Sequence, residues 1–250
     1  MININKLPQD IKKAVEFDEW RKAQEWEREW HDNCANSFNE EAKQFTYASR
    51  MGLDEFKGYD RGGRVNWNYG DRKILDIGGG AYSMLLKSQA RNRTVVDPCA
   101  YPDWVRSRYE QCGIRFITAT GEQLSTEHLV DPTHPDEKYD IALIYNCLQH
   151  TIDPQKIIEN ARKLAKEIRI FEWVDTGVSD GHLHDLKANL LDEWLGGQGK
   201  VEEISEGGCI GKCYYGIFPT NTGLLSSAEG AQALGKAFSE LRASIKDINL

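Results

Sequence analysis

The stretch Lys73-Ile-Leu-Asp-Ile-Gly-Gly-Gly-Ala-Tyr-Ser83 constrains this chain more than any other. A short apolar run carries an acid and then meets three consecutive glycines, the pattern of a buried strand running into a nucleotide-binding turn. A Cβ at Gly78 or Gly80 would project into space that a closely held ligand needs, so glycine lets the backbone approach it. Asp76 adds an argument from charge. A carboxylate at the end of the strand repels a pyrophosphate but tolerates a cationic or uncharged ligand.

Beyond this turn, apolar β-type runs alternate with helical patterns up to about Pro219, as in a parallel sheet covered by helices on both faces. The runs are Ile74 to Ile77, Thr94 to Val96, Ile114 to Thr118, Tyr139 to Tyr145 and Ile168 to Trp173. Pro102 opens one helix, Asp153-Pro154 supplies an N-cap and an N1 proline for another, and a third from about Asp185 ends in Gly196-Gly197. Val201 to Ser205 and Cys213 to Phe218 read as a hairpin, which completes seven strands with one antiparallel member. Ahead of the sheet, Phe17, Trp20, Ala23, Trp26 and Trp30 form a helical stripe, and Ser37-x-x-Glu40 resembles a capping box opening a second helix. Lys57 to Gly70 reads as a loop. The division expected is a helical extension over residues 1–70, a main domain over 71–220 and an amphipathic helix within 221–250, docked on the body or used as a dimer contact. A monomer or a homodimer follows.

With 250 residues and 40% hydrophobic content, the chain can bury one full core. Its net charge of -8 disfavours broad electrostatic binding to nucleic acid, which leaves a local basic groove as the route to such a partner. No apolar run is long enough to span a membrane, and the first residues lack a signal-peptide pattern, so a cytoplasmic location is expected. The six cysteines include no Cys-x-x-Cys pair and read as reduced, with no metal site.

Asp97 closes the second run about 20 residues beyond the glycine turn, the spacing at which an acid accepts ribose hydroxyls. Asp76-x-Gly78-x-Gly80, Val95-Val-Asp97 and Asn146-Cys-Leu-Gln-His150-Thr-Ile-Asp153 together resemble the motifs of class I S-adenosylmethionine-dependent methyltransferases of the small-molecule branch. The resemblance covers roughly Lys73 to Phe218 and implies a three-layer, Rossmann-like sheet with S-adenosylmethionine as cofactor and S-adenosylhomocysteine as product. It implies that Asp76, Gly78 and Gly80 surround the methionine moiety, with Gly79 and, after the fourth strand, Asn146 as further cofactor-binding residues. Asp97 would bind ribose, Pro98 beside it is a further cofactor-binding residue, and Glu122 and Gln123 would lie beside adenine. Two positions depart from the family pattern: Tyr82 replaces the third glycine of the turn, and Thr120 stands where many members carry an acid facing adenine. A dinucleotide reading leaves Asp76 and the Asn146 to Pro154 segment without a role.

Methyl transfer from a sulfonium is an in-line displacement, so holding the reactants aligned in a dry site is the main demand on the protein. Where the acceptor must lose a proton, His150, Glu172 and His182 are the candidate catalytic groups. The sequence around Asn146 lacks the Asp/Asn-Pro-Pro-Tyr of amino-methylating DNA enzymes, and the lone Pro98-Cys99 follows the wrong strand for a cytosine nucleophile. A small-molecule acceptor is therefore expected, with Trp20, Trp26, Trp30, Trp67 and Trp173 available to line its pocket. RNA or protein as acceptor, or a non-catalytic cofactor-binding subunit, are the alternatives.

Overall fold

The computed structural model describes residues 9–32, 34–125, 138–179 and 181–220. The expected C-terminal helix lies outside them.

Seven strands form the central sheet: β3 (Lys73–Ile77), β5 (Asn92–Val96), β6 (Arg115–Ile117), β7 (Tyr139–Tyr145), β8 (Ala165–Trp173), β9 (Lys200–Glu206) and β10 (Cys209–Pro219). Their order is β6-β5-β3-β7-β8-β10-β9, parallel except for β10, which runs against both its neighbours. Buried β3 is central, with Asp76 opposite Val95 of β5 and Leu143 of β7. Strand order reverses between β3 and β7, so a crevice opens there at the strands' carboxyl ends.

Alternation along each strand divides the core in two. Ile74, Ile141, Leu143 and Phe171 face one side, while Leu75, Ile77, Ala142, Ile144, Ile168 and Ile170 face the other. Helix α4 (Pro154–Leu164) and helix α5 (Ala188–Leu195) cover the second face with Ile157, Ile158, Ala161 and Leu191. Both end as their sequences predict: Asp153 caps α4 by accepting from the Lys156 amide at 2.9 Å, and Gly196 closes α5 at a φ of 67°. Helix α3 (Asp103–Gln111) packs on the first face through Val105 and Tyr109.

Two N-terminal helices, α1 (Gln9–Asp32) and α2 (Cys34–Arg50), lead into the first face, where Tyr47, Ala48 and Met51 join the core. Helix α2 already runs at Ser37, so the proposed capping box is not its start; Glu40 instead pairs with Lys43 at 2.6 Å. Buried Arg169 on β8 ties this segment down, donating to the Gly52 carbonyl at 2.9 Å and pairing with Glu55 at 2.6 Å.

Two expectations need correction. Residues 57–70 are not a plain loop: β1 (Lys57–Tyr59) pairs antiparallel with β2 (Val65–Asn68), and short β4 (Ser88–Gln89) joins β2 in a small second sheet. Buried Trp67 anchors it, while Gly62 and Gly63 sit in a turn where Asp60 accepts from the Gly62 amide at 2.8 Å. The glycine turn also leads into no α-helix, only into short 3-10 turns at Gly80–Tyr82 and Met84–Lys87. Extended Ser83 separates them, its amide donating to the Tyr109 hydroxyl at 2.9 Å and its hydroxyl to Asp76. The last hairpin is tighter than predicted, turning on Gly207-Gly208 alone with φ of 57° and 78°. Among the described residues no helix is long and apolar enough to cross a membrane.

Candidate functional site

Two cavities meet at the carboxyl ends of β3, β5 and β7 under helix α1. The narrower, about 90 Å³, lies over β5 and is walled by Val96, Asp97, Pro98 and Glu122, with Trp20 and Gln24 of α1 opposite. The wider, about 300 Å³, lies between the two N-terminal helices and the ends of β3 and β7.

The glycines of the turn do different work. A Cβ on Gly78, whose φ is 75°, would lie 2.5 Å from Cys147 Cβ, so this position lets the turns after β3 and β7 pack together. A Cβ on Gly79 would meet Asp76 Oδ2 at 2.8 Å. Gly80, with a φ of 63°, is the one whose Cβ would enter open space, meeting only Tyr101 Oη at 3.7 Å and His31 Nε2 at 3.9 Å. All three glycines line the wider cavity.

Asp76 is placed differently from the expectation. Its carboxylate lies wholly beneath the turn, accepting from the Tyr145 hydroxyl at 2.8 Å and from the Ser83 hydroxyl, and it lines neither cavity. Burial pushes its pKa up to about 7. The acid braces the turn from below. Asp97 does face the narrower cavity, while its two oxygens accept from the Gly80 amide at 3.0 Å and the Cys99 amide at 2.9 Å. Burial raises it to about 6.

Glu122 lines the narrower cavity, yet its Oε1 accepts from the amides of Ile152 at 2.9 Å and Asp153 at 3.1 Å, so it also fixes the approach to α4. Gln123 is exposed, lines neither cavity, and closes a capping box with Thr120. Thr120 itself lines the narrower cavity.

After β7, Asn146 adopts a φ of 49°, unusual for a residue with a Cβ and held by its amide bonding to the Phe171 carbonyl at 2.9 Å. It lines the wider cavity with His150 and His182, whose rings meet edge to face at 4.8 Å. His150 Nδ1 is 2.7 Å from the Gly181 carbonyl, and burial lowers both histidines to about 4, so both are neutral near pH 7. Glu172 lines neither cavity. Its Oε1 accepts from the amides of Cys147 at 3.1 Å and Leu148 at 3.2 Å, and burial raises it to about 8. It holds the turn that presents His150 and does not itself reach the cavity. Glu172→Ala is therefore expected to lower stability by about 2–4 kcal/mol through two orphaned buried amides, whereas Glu172→Gln keeps the accepting oxygen and unfolds near the parental midpoint in urea.

The N-terminal helices contribute what the sequence reading missed. Glu27 lines both cavities, with Oε1 3.1 Å from His150 Nδ1 and Oε2 3.6 Å from His31 Nε2. Burial raises Glu27 to about 7 and lowers His31. The only local signal was an acid and a histidine four residues apart on the tryptophan-bearing helix. Of the tryptophans, Trp20 lines the narrower cavity, Trp26, Trp30 and Trp173 line the wider one, and Trp67 is in the core away from both. Tyr82 stands in the wider cavity's wall, with the Arg108 guanidinium 5.0 Å from its ring centroid. Among the described residues no group of three His, Cys, Asp or Glu could hold a metal; the His184 Nε2 lies 2.8 Å from the Thr151 carbonyl.

Residues 75–168 match a family model described as a methyltransferase domain. This match likens residues 75–168 to methyltransferase domains. The fold is similar to that of the N-methyltransferase NodS from Bradyrhizobium japonicum WM9, in complex with S-adenosyl-L-homocysteine, with 14% identity and a TM-score of 0.54 over 79% of this chain and 98% of that one. Magnesium protoporphyrin IX methyltransferase from Synechocystis PCC 6803, with S-adenosylmethionine bound, is 12% identical at a TM-score of 0.48, covering 87% of this chain and 98% of that one. No curated protein matches the chain significantly. The matched segment includes the glycine turn, Asp97, Glu122, Asn146 and His150, whereas Glu172, His182 and both N-terminal helices fall outside it.

Proposed function

We propose that this chain moves a methyl group from S-adenosylmethionine to a nucleophilic atom of a small-molecule acceptor, leaving S-adenosylhomocysteine. The N-methyltransferase NodS, whose fold this chain shares, is in complex with S-adenosyl-L-homocysteine, the product form of that cofactor. The residues present suit it. Gly80 leaves open the space a Cβ would fill, and Asp97 presents a carboxylate to the narrower cavity where a ribose diol can donate to it. Apolar Val96 and Ile157 share that cavity with Trp20, as an adenine ring requires, and Thr120 and Glu122 offer polar atoms to its edge. Backbone at Gly78 to Gly80 and Asn146 would hold the methionine portion. When bound, the cofactor supplies an electrophilic methyl carbon on a sulfonium.

The junction of the two cavities carries the reading. A group seated over Asp97 extends past Gly80 into a second cavity walled by α1 and α2, so an acceptor there is held close and shielded from water. Its volume of about 300 Å³ is at the lower end of small-molecule sites. The aromatic roof of Trp26 and Trp30, stacked at 5.2 Å, and the acid excess of the chain favour a compact ligand over a polyanion.

Two measurements test this. Calorimetry is expected to show S-adenosylhomocysteine binding with a single site. Incubation of a cell extract with methyl-labelled S-adenosylmethionine and the protein is expected to place label in the low-mass fraction. Label confined to RNA or protein would overturn the acceptor assignment, and no cofactor binding would overturn the whole.

A further inference from the structure

The wider cavity, read above as the acceptor site, is unusually rich in hydrogen-bond acceptors. Gln149 is 1% exposed and lines it; its amide nitrogen lies 3.4 Å from Asn146 Oδ1 and 3.2 Å from His182 Nε2, which leaves its buried Oε1 without a partner. The Tyr47 hydroxyl, on a side chain also 1% exposed, is buried in the same wall without a partner. Glu27 adds a carboxylate at the junction with the narrower cavity. Among the described lining residues Lys43 is the one lysine or arginine, and it is taken by Glu40 at 2.6 Å. The histidines do not balance Glu27 as cations, since burial holds them neutral.

Buried acceptors without donors are costly, and a ligand that brings N–H groups removes that cost. An ammonium offers three donors for Glu27, Gln149 Oε1 and the Tyr47 hydroxyl. A carboxylate or phosphate acceptor would instead face Glu27 with like charge. The stacked indoles of Trp26 and Trp30, with Tyr82 and Trp173, supply flat apolar walls and negative ring faces for the body of such a ligand.

We propose that the wider cavity takes an arylalkyl amine, and that Glu27 receives the proton its nitrogen must lose before methylation. An ammonium has no free lone pair. Transfer of one proton to the Glu27 carboxylate yields the neutral amine and a carboxylic acid. The nitrogen lone pair then forms the new N–C bond as the S–C bond breaks with its electron pair kept by sulfur, giving the N-methylammonium product. The proton on Glu27 returns to solvent. His150 and His31, flanking the two carboxyl oxygens, position the group.

The proposal rests on the methyltransferase reading of the site, so cofactor binding is measured first. With the protein saturated in S-adenosylhomocysteine, phenethylamine is expected to bind about tenfold more tightly than 3-phenylpropan-1-ol, and 3-phenylpropionate more weakly still. Glu27→Gln is expected to lower phenethylamine affinity about tenfold while the alcohol's affinity changes by less than about twofold. Labelled methyl transfer to phenethylamine should fall about 100-fold in that variant. Glu27→Asp, which keeps the charge but withdraws it by one methylene, should fall between the two and serves if Glu27→Gln does not fold. Normal S-adenosylhomocysteine binding combined with no preference for the amine, with no label on its nitrogen, or with parental behaviour of Glu27→Gln overturns this inference alone. Absent cofactor binding overturns it together with the reading beneath it.

Discussion

Gly78→Ala is expected to lower stability by about 2–5 kcal/mol and to abolish measurable cofactor binding. Two separate penalties add. The φ of 75° places a residue with a Cβ in the left-handed region, at roughly 1–2 kcal/mol. The added carbon would also lie 2.5 Å from Cys147 Cβ, an atom fixed to the backbone, so the turns after β3 and β7 must separate at about 1–3 kcal/mol more. Separation draws Gly80 away from Asp97, whose carboxylate accepts its amide. Adding Cys147→Gly removes the clashing carbon but not the backbone strain, and should recover part of the urea midpoint. Gly80→Ala is the contrast: with contacts no closer than 3.7 Å, it should show only the cost of its φ. A Gly78→Ala protein unfolding within about 0.5 kcal/mol of the parent would show that the two turns are not packed as described.

Asp97→Ala should weaken S-adenosylhomocysteine binding by about 100-fold, the loss of two hydrogen bonds from a ribose diol to a charged acceptor. Because Asp97 also holds the Gly80 and Cys99 amides, the alanine variant combines lost ligand contacts with a loosened turn. Asp97→Asn separates them, since it keeps an acceptor for one amide and should lose only about tenfold. The pH dependence has a definite sign. Burial raises the acid to about 6, and a donating diol favours the ionised form, so affinity should fall as pH drops through about 6. Glu27 and Asp76 also titrate near neutrality, so the informative quantity is the difference between parent and Asp97→Asn across pH. Equal calorimetric affinities for parent and both variants would remove Asp97 from the cofactor site.

Much of the scaffold was legible locally. Asp153-Pro154 and Gly196 marked helix ends because capping depends on a few adjacent residues, and the apolar runs from Ile74 to Trp173 marked the strands because burial on both faces demands continuous hydrophobicity. Local reasoning misread residues 57–70, where Gly62 and Gly63 belong to a turn but Gly58, Val65 and Trp67 belong to strands. It also gave Asp76 a ligand-facing charge, although alternation along β3 and the hydroxyls of Tyr145 and Ser83 hold that carboxylate beneath the turn.

The sequence by itself determined that a glycine turn, an acid after the next strand and an Asn-to-His segment would stand at strand ends in a sheet of this class. These are short-range facts: each depends on strand period, turn chemistry and spacing within one crossover. Tertiary structure decided which side chains face the cavities. Gln123 closes a cap, Glu172 supports a turn from behind, and Glu27 crosses from the first helix to meet His150. That last pairing is set by how α1 packs across the ends of distant strands, and no periodicity within a helix encodes which far element its polar face will meet.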